Sequence, residues 1–157
     1  MKVASAFACA ALVLYPAVGS AEIKASIQPP PGWTKRGMRP PVHTWYRGEQ
    51  FVDLDTQSNT TPRRTLRAYV HDIVEPASNT HGARLIASGP TTACAGRQQA
   101  WLLTISLEPA PGTRGLLEVV VAVSGAHVYE AAYMRPSTEP PRAEAERAIR
   151  SLCLNRI

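Results

Sequence analysis

Beyond its N-terminal 21 residues the chain has no apolar run approaching the roughly 18 residues that a spanning helix requires, so no integral membrane span is expected there. Charge is also scarce. Only 18% of the 157 residues are charged and 45% are apolar, a balance foreign to disordered polyelectrolytes and coiled coils. The 10 glycines have no three-residue period, which excludes a collagen-like repeat, and no segment repeats at solenoid spacing. Cysteine is limited to Cys9, Cys94 and Cys153, with no C-x-x-C pair to support thioredoxin-like redox chemistry. Signature motifs are missing too. No H-E-x-x-H and no two histidines three or four apart suggest a helical metal site; no G-x-S-x-G marks a nucleophile elbow, and no glycine-rich phosphate cradle occurs. These absences leave no catalytic residue, metal ligand or cofactor site to assign.

What is present begins with an export signal. Lys2 supplies a positive start, Val3 to Leu14 is apolar apart from Ser5, and Pro16 precedes the small residues Gly19, Ser20 and Ala21. Residues 1–21 therefore read as a signal peptide and 22–157 as one domain, with a cut after Ser20 as the close alternative. The apolar run is short for an uncleaved anchor of roughly 20 residues. A domain of this length has enough interior to fold without a disulfide framework. Export to the periplasm or the exterior leaves Cys94 and Cys153 as an even pair in an oxidising compartment, which predicts a disulfide worth roughly 4 kcal/mol of loop closure. The alternative is a reactive thiol at Cys94.

The elements follow from periodicity. Prolines at 29–31 and 40–41 make the entry extended or turning, with one short strand near Ile23–Ile27 and Trp33 as a core plug. Val42 to Asp55 reads as a hairpin about Arg47-Gly48-Glu49. Thr61-Pro62 offers a cap and a first helical position. Leu66, Val70 and Ile73 then recur at helical spacing, giving an amphipathic helix over 62–75 that stops before Pro76. Arg84 to Ser88 is a short strand ending at Gly89-Pro90. Gln98–Leu107, Leu116–Val123 and Ala126–Arg135 form a three-stranded antiparallel meander, its middle run β-branched as in a strand covered on both faces. Ala145, Ala148, Ile149, Leu152 and Cys153 stripe a closing helix, acidic at its start and basic at its end. The sum is an α+β domain: an antiparallel sheet packed by two amphipathic helices.

Chemistry-bearing residues are few. Arg63, Arg64 and Arg67 crowd the first turns of the middle helix, with His71 one turn beyond. Cations there oppose the helix dipole, by about 0.3–1 kcal/mol each, so Arg64, Arg67 and His71 are candidates for an anion site, against the plainer reading of a solvated face in an arginine-rich chain. Basic residues are otherwise scattered with few aromatics among them, so a nucleic-acid partner is not expected. Asp53 and Asp55 share one strand face but nothing marks them as an acid/base pair. A zinc site drawn from His43, His71 and Asp72, or a hydrolase site around His43, His71 or His127, requires assembly in space.

With these elements in order, the chain resembles the PsbP-like α/β/α sandwich domains, small lumenal, periplasmic and secreted proteins. The likeness is carried by Pro31-Gly32-Trp33, the middle helix, the meander from Trp101 to Tyr133 and the closing helix, which together cover most of the mature chain. It implies an α/β/α sandwich in a binding or accessory role, without catalysis, and brings no functional residue with it. The partner implied is a small anionic ligand or an unknown protein of the bacterial envelope. A subunit of an envelope complex and a small histidine-based hydrolase are the competing readings.

Overall fold

The run Leu116–Val123 decides the architecture, because adjacent residues in it serve two different cores. Val120 and Ala122 belong to one buried cluster, Val119 and Val121 to another. A strand sends successive side chains to opposite faces, so both faces of the sheet are covered. The computed structural model describes residues 24–36, 42–55, 65–80, 82–124 and 127–155. The expected signal segment, the Thr61-Pro62 cap, Arg63 and Arg64 lie outside these residues.

The strands are β1 (Lys24–Ser26), β2 (Thr34–Arg36), β3 (Val42–Arg47), β4 (Gln50–Asp55), β5 (Ala83–Ala93), β6 (Gln98–Ala110), β7 (Thr113–Ser124), β8 (His127–Pro136) and β9 (Cys153–Asn155). Seven of them form one antiparallel sheet in the order β2-β3-β4-β8-β7-β6-β5. The expected meander is β6-β7-β8, and β5 extends it. Between β4 and β5 runs a single rod made of α1 (Leu66–Tyr69), a π-helical turn (Val70–Val74) and α2 (Glu75–Ala77). It buries Tyr69, Val70 and Val74 over Leu103, Ile105, Val119 and Val121. The second helix, α3 (Ala143–Arg150), buries Ala145, Ala148 and Ile149 on the opposite face, over Val52, Val120, Ala131 and Tyr133. The result is an α/β/α sandwich.

Four local expectations change. The rod is capped by Thr65, whose hydroxyl accepts from the Ala68 N–H at 3.2 Å. It also runs through Pro76 instead of stopping before it. In a regular α-turn the Pro76 ring meets the carbonyl four residues back; here the Glu75 N–H bonds to the Val70 carbonyl, five back, and the widened turn admits the proline. Gly89-Pro90 does not end β5. That strand is at the sheet's edge, where a ladder runs along one side only and proline is tolerated. Finally, Cys153 is not on the closing helix but on β9, which pairs with β1 as a separate ribbon.

A buried polar network fixes the approach to α3. Gln50 is fully buried; its Oε1 accepts from the Tyr133 hydroxyl, and its amide donates to Glu139 at 2.6 Å. The Arg142 N–H donates in turn to the Tyr133 oxygen at 3.0 Å. Satisfied on both sides, this network rigidifies the 136–142 connection. Trp33, 8% exposed, lies edge-on to Tyr133 and closes that end of the core as expected.

Candidate functional site

Of the three residues proposed for anion binding, the described part of the chain places two. Arg67 is exposed on α1. His71, one turn on, sits beside Glu75: Nδ1 is 2.8 Å from Oε2, an i,i+4 pair. Glu75 also accepts from the Ser88 hydroxyl at 2.5 Å, and Ser88 accepts from the Trp101 indole N–H at 2.6 Å. The His71 ring stands edge-on to Trp101, centroids 5.5 Å apart. Rod, edge strand β5 and β6 each contribute to this cluster.

Its chemistry is set by what stands in the middle. Hydrogen bonds from Ser88 and then from His71 hold the Glu75 carboxyl below its ordinary range, so a fixed negative charge sits beside the imidazole. A serine nucleophile needs the reverse order, with the imidazole between hydroxyl and carboxylate. Here the hydroxyl proton faces the carboxylate and the ring is on the far side, so Ser88 and His71 form no nucleophile–base pair. Among the described residues, no three His, Cys, Asp or Glu side chains converge as metal ligands. His43 instead lies 6.3 Å from the Trp45 ring.

Sequence reasoning missed a second feature, on the other half of the same sheet face. In the β4–β8 ladder Asp55 lies directly opposite Glu130, a like-charged cross-strand pair. Glu130 is also the cross-strand partner of Val121 and stands two residues from Val128, both packed with Tyr69 of the rod. Burial first, and Asp55 second, push the Glu130 carboxyl up to about 7. The fully buried Tyr69 hydroxyl, which has no hydrogen-bond partner among the described residues, is pushed up to about 12, again by burial and then by Glu130 and Asp55. The signal available in sequence was the alternation of β8, which puts Glu130 on the face of Val128 and Ala132.

A pH dependence follows. An acid whose folded pKa exceeds its unfolded value holds its proton in the native state while the unfolded chain has released it. Stability therefore falls as pH rises from about 4.5 to about 7, and then levels. Urea denaturation at pH 5 and pH 8 should show the native protein weaker at pH 8, with Glu130→Gln removing most of that difference. An unchanged difference in the variant would assign it elsewhere.

The third feature is covalent. Cys94 and Cys153 form a disulfide, Cα atoms 4.7 Å apart, that ties β9 to the turn between β5 and β6. Cys94, Ala95 and Gly96 all have positive φ, at 54°, 54° and 80°. Only glycine takes that region freely, so the hairpin and the bond together hold two strained residues. Arg97 folds back over the turn: Nε donates to the Cys94 carbonyl at 3.2 Å, and an Nη2 hydrogen points to Cys94 Sγ at 3.4 Å. Ala95→Gly should raise the unfolding free energy by about 0.5–1 kcal/mol, strain relief exceeding the added freedom of the unfolded chain. A lower midpoint in thermal denaturation would show that Ala95 is not strained.

Comparison with known proteins reaches the fold only. No protein-family model matches the chain, and no curated protein matches it. Among solved structures it is similar to the Saccharomyces cerevisiae Ran-binding protein Mog1p, with TM-score 0.57 and 12% identity over 86% of this chain and 96% of that one. It is also similar to a Bacteroides thetaiotaomicron protein, with TM-score 0.53 and 14% identity over 84% of this chain; the match spans 45% of that longer chain.

Proposed function

We propose that this chain is an exported binding or accessory domain of the bacterial envelope, periplasmic or secreted, PsbP-like in kind, and not an enzyme. The observation that carries it is the Cys94–Cys153 disulfide, a bond that persists in oxidising compartments and is rare in reducing ones. The N-terminal Lys2-to-Ala21 pattern supports the same route. Mog1p, a Ran-binding protein, is a chain of similar fold that serves binding. At the rod, Glu75 holds both the Ser88 hydroxyl and the His71 imidazole, which disfavours the serine–histidine nucleophile of the competing hydrolase reading. The partner is a small anionic ligand met by Arg64, Arg67 and His71, or an envelope protein. Among the described residues Ile86 is the large apolar side chain left exposed, a single residue on edge strand β5 and not a patch.

The test is mass spectrometry of the full-length product after fractionation of a bacterial host, with alkylation before and after reduction. Export predicts a chain beginning at Glu22 or Ala21 in the envelope fraction, with Cys94 and Cys153 alkylated only after reduction. A cytosolic product retaining its first residues and alkylated at once on both sulfurs overturns the reading. On the purified protein, inorganic phosphate should raise the thermal midpoint in wild type and not in Arg64→Ala/Arg67→Ala. Equal shifts in both discard that surface.

A further inference from the structure

The two sulfurs of the disulfide differ in their surroundings, and the difference has a chemical consequence. Cys94 Sγ faces the Arg97 guanidinium, with Nη2 3.4 Å away; among the described residues no such cation is paired with Cys153. Thiolate charge is stabilised beside a guanidinium, and exchange is faster when the departing thiol has the lower pKa. Both cysteines are half-buried, not sealed, and an open cavity of about 350 Å³, lined by Cys94 and Arg97 among others but not by Cys153, gives the departing Cys94 sulfur room and solvent. Backbone geometry favours opening at either sulfur, since Cys94 is held at φ 54° and is free to relax once the bond opens.

We propose that the Cys94–Cys153 bond is an exchange site for small thiols, entered at Cys153 with Cys94 as the leaving sulfur. The thiolate of a low-molecular-weight thiol attacks Cys153 Sγ; a new sulfur–sulfur bond forms there, the old one breaks, and its electron pair passes to Cys94 Sγ beside Arg97. A second small thiolate attacks the sulfur of the bound small thiol, releasing the small-molecule disulfide and the Cys153 thiolate. Two small thiols are oxidised and the protein gains two electrons. Run backward, Cys94 is the nucleophile that resolves a mixed disulfide on Cys153. Opening the bond removes the covalent tie between β9, with β1 paired to it, and the β5–β6 turn. Ala25, Ile27 and Leu154, which pack against the α3-side core, are then held by noncovalent contacts alone.

The rate and direction of exchange do not depend on export. The native full chain is exposed to glutathione under nondenaturing conditions, quenched with acid, and the adduct is located by peptide mapping. The expected adduct is on Cys153, with Cys94 alkylatable. Arg97→Ala should slow adduct formation about 3- to 10-fold, the effect of lost thiolate stabilisation at an exposed position, and Arg97→Lys should restore most of the rate. Adduct mapped to Cys94, or equal rates in wild type and Arg97→Ala, overturns the proposal. So does exchange that proceeds only as fast as global unfolding, followed in parallel by tryptophan fluorescence.

Discussion

Replacing Cys94 and Cys153 together with alanine should lower the unfolding free energy by about 2–4 kcal/mol, the largest effect expected from any pair of side chains outside the core. The effect originates in the unfolded chain. A bond between residues 59 apart in sequence removes closure entropy from the denatured ensemble, worth roughly 4 kcal/mol at that separation. Against it stands the backbone of Cys94, held at positive φ by the bond and the hairpin, which returns about 1–2 kcal/mol when released. The anchoring of the β1–β9 ribbon adds a further native contribution, because Ile27 and Leu154 pack on the α3-side core. Urea denaturation of the wild type with and without reductant, beside the double variant, measures this directly. Reduced wild type and variant should coincide. A loss under 1 kcal/mol would mean that native strain cancels closure almost completely.

Legibility from sequence followed physical range. The meander was readable because strand periodicity and the β-branched run Leu116–Val123 are local and strong, and its two-faced burial is what the structure shows. The α3 stripe of Ala145, Ala148 and Ile149 was readable for the same reason. The disulfide was reached through counting and compartment, while its position on β9 instead of a helix depended on a three-residue ribbon with no periodicity to detect. Pro76 misled because the rule that proline ends a helix assumes an α-turn, and the π-helical turn escapes that clash. At the site, His71 was singled out but its charge partner was not. Glu75 is four residues along the same helix and in principle visible; Ser88 and Trp101 arrive from two strands, and nothing in a linear pattern brings them together. The Asp55–Glu130 pair was hidden by register, since β4 and β8 are neighbours only after the rod and three strands have been laid down between them in sequence.

Two-sided burial makes a prediction that a one-sided sheet would not. Leu103 is fully buried beneath the rod, and Ile149, 1% exposed, is buried between α3 and the opposite face of the sheet. Truncating either to alanine removes three side-chain carbons and leaves a cavity, for an expected loss of about 2–5 kcal/mol each. Residues in separate cores share no cavity and no partner, so their losses should add to within about 0.5 kcal/mol. A small domain holds roughly 5–15 kcal/mol in all, so Leu103→Ala/Ile149→Ala should be marginal or unfolded at 25 °C while each single variant still folds. Denaturant titrations of the four proteins, with the oxidised disulfide present in every one, provide the cycle. Should the double variant lie beyond measurement, the milder pair Leu103→Val and Ile149→Val keeps the cycle within range. A coupling above about 1 kcal/mol would place both side chains in one continuous core, and the reading of the sheet as a wall between two independent layers would have to be given up.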